Sequence, residues 1–91
     1  MKVVHAARLF TGEAMLRDAA LIIDAGRVGD VRAGADIPAG MATETLAPEL
    51  ILAPGFIDTQ VNGGGGVMFN DSPDLPTLRA IGRAHRRFGT T

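Results

Sequence analysis

Apolar residues dominate Val3 to Phe10, which reads as an extended segment punctuated by Thr11-Gly12. Ala20-Leu21-Ile22-Ile23 predicts a short apolar strand. Asp24-Ala25-Gly26-Arg27 then predicts a turn, with Val28–Val31 pairing back to complete a hairpin. Arg32 to Gly40 carries Gly34, Pro38 and Gly40 and reads as loop, whereas Thr43 to Leu46 predicts another strand, ended by Pro48. This half looks like part of a small β-sandwich or open sheet, and it holds no catalytic constellation.

At Glu49 the pattern changes. Leu50-Ile51-Leu52-Ala53 is a buried-type run stopped by Pro54-Gly55, and Phe56 to Asn62 predicts a strand that runs into four glycines, Gly63 to Gly66. Alternate residues of a strand share a face. Phe56, Asp58, Gln60 and Asn62 therefore fall on one side, and Ile57, Thr59 and Val61 on the other. The second face is apolar or β-branched and suits a helix layer. The first becomes polar toward its C-terminal end, just before a glycine-rich loop, which is how parallel α/β active sites are built.

The last segment predicts a helix. Ser72 or Asp74 can cap it, Pro76 fits its first turn, and Leu75, Leu78, Ile81 and Phe88 recur near helical spacing. Arg83, Arg86 and Arg87 suit the negative end of the helix dipole, and Gly89 is the stop signal.

Composition narrows the reading. The 91 residues make one small domain or a piece of a larger one. A hydrophobic fraction of 46% and a charged fraction of 21% place the chain among globular proteins. The twelve glycines, four Phe and absence of Trp and Tyr predict a thin core for a free-standing domain. No apolar run approaches the roughly 18 residues of a membrane span. Arg8 breaks the N-terminal apolar stretch, which makes it poor material for a secretory signal. With no cysteine there is no disulfide framework, thiolate metal site or cysteine nucleophile, and a cytoplasmic location is expected. A net charge of -1 argues against nucleic acid as the main partner.

Gly63–Gly66 is not a Walker loop, since Val67 and Met68 stand where Lys and Ser/Thr are needed. It also fails the dinucleotide fingerprint, whose third glycine would fall at Met68 or Phe69. It reads as a mobile turn, with a backbone nest for a ligand as the functional alternative. Arg83-Ala84-His85-Arg86-Arg87 reads as a solvated helix end, because no aromatic interleaves it. His5 and His85 lack partners at ligand spacing and read as structural or surface residues. By themselves, Gln60 and Asn62 would only satisfy loop amides.

Context changes the weight of that pair. Leu52-Ala53-Pro54-Gly55-Phe56-Ile57-Asp58-Thr59-Gln60-Val61-Asn62-Gly63 resembles the entry to the first barrel strand of the amidohydrolase superfamily, where a Pro-Gly-x-x-Asp run leads into a His-x-His metal motif. Here Gln60 and Asn62 stand in place of the histidines. With Gly63 and Gly65-Gly66-Val67-Met68-Phe69-Asn70-Asp71, that replacement resembles the N-acetylglucosamine-6-phosphate deacetylase family. Arg8-Leu9-Phe10-Thr11-Gly12, Ile22 to Val28 and Phe88-Gly89-Thr90-Thr91 fit as well. At Gly64 relatives often carry a larger residue, frequently Cys, a departure expected to loosen the loop.

The resemblance implies an α/β fold: a (β/α)₈ TIM-type barrel carrying a small β-sandwich. Residues 1–53 would supply sandwich strands, and residues 54–91 the first barrel strand, its glycine-rich loop and its helix. A complete barrel takes about 250 residues, so the chain is expected to be an N-terminal portion, inactive alone. The implied reaction is hydrolysis of a linear amide, converting N-acetylglucosamine 6-phosphate to glucosamine 6-phosphate and acetate in amino-sugar catabolism. One divalent metal is implied, Zn²⁺ by expectation, with its ligands and the catalytic base downstream of Thr91. Gln and Asn are weak metal ligands but good orienters of a bound water or polar substrate. Gln60, Asn62 and Gly63 are accordingly the expected active-site lining, with no metal ligand or catalytic base in the chain. A small-molecule substrate, no nucleic-acid or membrane partner, and a homodimer complete the implied picture. The alternatives are an amidohydrolase acting on a cyclic amide or another N-acyl compound, against which the missing His-x-His counts, and a non-catalytic remnant or binding module.

Overall fold

The computed structural model describes residues 1–91, which divide into two units, Met1–Pro54 and Gly55–Thr91. In the first, β1 (Lys2–Phe10), β2 (Met15–Asp24), β3 (Arg27–Ala33) and β4 (Thr43–Thr45) form one sheet in the order β3-β2-β1-β4. β1 and β2 pair antiparallel from Lys2↔Ile23 to Phe10↔Met15, and β4 runs parallel to β1 with Val3 opposite Thr43. β2 and β3 are antiparallel, with a register shift between Ile22 and Ile23.

β2 begins at Met15, five residues before the apolar run that predicted it. Residues 15–18 are all exposed, the apolar Met15 and Leu16 included, so burial does not recruit them. The preceding connection draws them in: Thr11 N–H donates to the Ala14 carbonyl at 3.0 Å, and Ala14 N–H donates to Thr11 Oγ1 at 3.1 Å. That turn sets Met15 opposite Phe10, and the ladder then closes through backbone pairing, with the His5 ring bonded to Asp18 Oδ1 across it at 2.7 Å. At the other end of β2, Ala25 and Gly26 have φ of 47° and 76°, the left-handed pair of a type I′ hairpin turn.

Val3, Ala20 and Ile22 form the core cluster, with Ile37 and Met41 packed against it. Ile37 follows a single 3₁₀ turn at Gly34–Asp36. Val4, Ala6, Leu9 and Ala19 are also buried, and Val3 is the largest fully buried side chain. With Ala6, Ala19 and Ala20 among its buried side chains, this core removes little apolar area per residue from water, at roughly 25 cal/mol per Å².

The buried-type run at Leu50–Ala53 is not buried: Leu50 and Ile51 are 50% and 46% exposed. Leu52 bridges in parallel to Leu9. Phe10 N–H donates to the Leu52 carbonyl at 2.8 Å, and Leu52 N–H donates to the Arg8 carbonyl at 3.0 Å. An apolar run is buried only where a second layer meets it, and within this unit the run meets one strand edge.

The second unit holds β5 (Gly63–Gly64), β6 (Val67–Met68) and the helix α1 (Leu75–Arg86). The predicted strand at Phe56–Asn62 is reduced to one parallel bridge, Phe56 to Thr90. Phe56 N–H donates to the Gly89 carbonyl and Thr91 N–H donates to the Phe56 carbonyl, both at 2.8 Å. Beyond Phe56 the backbone bends at Thr59, and Gln60 N–H turns back onto Asp58 Oδ1 at 3.0 Å. A strand needs neighbours for its backbone groups, and residues 57–61 have no strand partner within this unit. The local Asx turn takes over.

α1 starts where the sequence places it. Asp74 is the N-cap, accepting from Thr77 N–H at 2.9 Å and from Ser72 Oγ–H at 2.9 Å, with Pro76 in the first turn. Of the apolar residues whose spacing predicted the helix, only Ile81 is buried. Thr77 and Ile81 are buried and Ala80, Ala84 and His85 half-buried, while Leu75, Leu78 and Phe88 are exposed. The inner face is small because a glycine hairpin lies against it: a Cβ on Gly65 would come within 3.2 Å of the Ala80 carbonyl oxygen.

Candidate functional site

The four glycines form a structured turn rather than a mobile loop. Gly63 pairs with Met68 and Gly64 with Val67, and Gly65 and Gly66, at φ of 62° and 82°, make the two-residue connection. Phe69 N–H donates to the Asn62 carbonyl at 2.9 Å, which carries the pairing one step past the named strands. The backbone of Asn62 is thereby fixed, while its side chain is exposed and directed by none of the hydrogen bonds formed here.

Gln60 is also exposed, held through its backbone at the Asp58 turn. Gly63 is half-buried, and its carbonyl accepts from His85 Nε2–H at 2.8 Å. Since a carbonyl only accepts, that ring nitrogen carries the proton. Gln60, Asn62 and Gly63 thus stand close in sequence at one end of the hairpin, with two neutral amide side chains open to an incoming group.

His85, expected as a structural or surface residue with no partner at ligand spacing, is structural: its ring bonds a backbone carbonyl. The signal was its helical phase, four residues after Ile81 and eight after Thr77, which puts it on the inner face of α1. Gly64 gives the ring its place: a Cβ there would lie 2.8 Å from Nε2 and 3.1 Å from Cδ2 of His85.

These residues do not make a metal site. The chain contains no group of three His, Cys, Asp or Glu side chains arranged to hold an ion, and Gln and Asn are weak ligands for zinc-type metals. The chemistry they can perform is hydrogen bonding by carbonyl acceptors and amide donors, which orients a water or a polar substrate. Two carboxyls are shifted by local structure. Thr77 N–H, with Thr77 and Ser72 hydroxyl contacts, holds Asp74 below the usual carboxylate range, and Arg32, with Val31 N–H, does the same for Asp30.

No family model matches the chain. It is 37% identical over 83 residues, 91% of its own length, to N-acetylglucosamine-6-phosphate deacetylase of Haemophilus influenzae. Over 40 residues, 44% of its length, it is 70% identical to N-acetylgalactosamine-6-phosphate deacetylase of a Shewanella strain. The crystal structure of N-acetylglucosamine-6-phosphate deacetylase from Pasteurella multocida superposes on 99% of the chain with a TM-score of 0.86 at 31% identity. The chain spans only 22% of the Haemophilus protein, 10% of the Shewanella protein and 24% of the Pasteurella structure. In sequence and in fold it is therefore similar, along nearly all of its own length, to the N-terminal portion of the N-acetylglucosamine-6-phosphate deacetylases, hydrolases that act on amino-sugar phosphates.

Proposed function

We propose that the chain is part of a metal-dependent deacetylase of N-acetylated amino-sugar 6-phosphates, in which Gln60, Asn62 and Gly63 line the active site. The observation that carries this reading is the likeness to the Pasteurella deacetylase over 99% of the chain. The reaction adds water across the acetamide: the carbonyl carbon gains the oxygen, the C–N bond breaks, and acetate leaves as the nitrogen takes up a proton. In that scheme the amide groups of Gln60 and Asn62 hold the attacking water or the sugar in register. A divalent metal, Zn²⁺ by the family reading, would supply Lewis acidity there, and its ligands are expected downstream of Thr91. The same reading implies residues 1–53 as sandwich strands, residues 54–91 as the start of the barrel, a homodimer and a cytoplasmic location.

Glucosamine is the favoured sugar, after the Haemophilus and Pasteurella proteins. The 70% identity to the Shewanella protein supports galactosamine as the second reading. The two sugars differ only in the configuration at C4. Acetate release by the complete protein from both N-acetyl sugar 6-phosphates separates them, and activity on neither rejects the proposal.

A further inference from the structure

We propose that His85 is a positioning residue for this site and that Gly64 is the socket of its ring, so that the two positions act as one coupled pair. The inference rests on the reading of Gln60, Asn62 and Gly63 as active-site residues. The glycine at 64 has no conformational cause. Its neighbours Gly65 and Gly66 occupy the left-handed region, whereas Gly64 does not. Its cause is space, because the His85 ring fills the volume that any side chain at 64 would take.

The ring in turn makes the side-chain hydrogen bond that joins α1 to the hairpin, from Nε2–H to the Gly63 carbonyl at 2.8 Å. Gly63 adjoins Asn62, whose own carbonyl is held by Phe69 N–H. Backbone placement at residues 62 and 63 therefore depends on a helix residue more than twenty positions later in the chain. A small displacement at a reacting centre can cost up to about 100-fold in rate, which is why such a bond matters.

The test uses the complete protein, with turnover normalised to folded protein and amide exchange followed at Met68 and Phe69. His85→Ala should lower kcat by about 10- to 100-fold. Exchange at the two amides should quicken by about threefold to tenfold, the range for one lost hydrogen bond. His85→Gln keeps a nitrogen donor at similar reach and should restore most of both. Gly64→Ala should reproduce His85→Ala, because the new methyl displaces the ring. The double variant should be no worse than either single one. Full kcat in His85→Ala, failure of His85→Gln to rescue, or multiplicative losses in the double variant would each overturn the pair. If the unaltered protein deacetylates neither sugar, the functional reading fails on its own. Exchange then still decides the coupling: unchanged rates in His85→Ala, or additive effects with Gly64→Ala, reject it.

Discussion

Gln60 and Asn62 carry the most specific functional expectation, and the structure shows both side chains exposed beside a backbone that is pinned. Neutral amides bind zinc-type ions weakly, so their proposed effect is on orientation. Gln60→Ala or Asn62→Ala in the complete protein should lower turnover by about 10- to 100-fold while metal content stays constant. Elemental analysis beside kinetics checks this, and loss of the metal in either variant would make the residue a ligand instead. Asp74 offers a pH test. Its carboxylate is stabilised in the folded state chiefly by Thr77 N–H, so its pKa is lowered on folding. The cap therefore contributes fully above the unfolded value of about 4 and is lost as pH falls through the lower folded value. Asp74→Asn keeps a capping oxygen without the titration. Its helix signal by circular dichroism should lose the part of the acid transition that Asp74 causes, and an unchanged acid limb would contradict the assignment.

Among the elements, the β2–β3 hairpin was legible because its turn chemistry is local. Two of its non-glycine residues, Asp18 and Ala25, sit at positive φ, 49° and 47°, and Ala25 is the one in the turn. Left-handed backbone costs an L-residue roughly 1–2 kcal/mol, and Asn tolerates it better. Ala25→Asn should stabilise the first unit by about 1 kcal/mol, visible as a higher denaturant midpoint. A midpoint that falls would show that the turn is held by something other than its own residues. For α1, periodicity predicted the helix but did not say which face it buries. Periodicity gives Leu75, Leu78 and Ile81 equal weight, but the glycine hairpin packs on Ala80, Ala84 and His85. Which face of an amphipathic helix is buried depends on the shape of its neighbour.

For the molecule as a whole, what the chain leaves uncovered matters as much as what it buries. Phe56, Ile57 and Phe88 are 66%, 82% and 73% exposed in the second unit. Exposed apolar groups of this size, next to a segment with unpaired backbone, promote association. The 91-residue chain by itself should therefore self-associate in sedimentation, with fast amide exchange through residues 57–62. A monomer with strong protection there would refute this. The same chain should give no metal-dependent release of acetate from N-acetylglucosamine 6-phosphate, since it offers no three-ligand metal site. Turnover above background with added Zn²⁺ would overturn that expectation.

Sequence alone determined what depends on short-range chemistry. The Ala25-Gly26 turn, the Asp74 cap with Pro76 behind it and the Gly89 stop at φ 93° all follow from residue types that satisfy or bend their own backbone. It also supplied the Gln60-Val61-Asn62-Gly63 string, because a motif is local by nature. Tertiary structure decided everything that needs a distant partner. It drew Met15–Asp18 into β2, left Leu50 and Ile51 exposed, and reduced Phe56–Asn62 to a single bridge with Thr90. It also gave His85 its carbonyl and Gly64 its purpose. The physical reason is common to all of these. Burial, strand pairing and the fit of a ring against a glycine are properties of two surfaces meeting, and the second surface is not encoded beside the first.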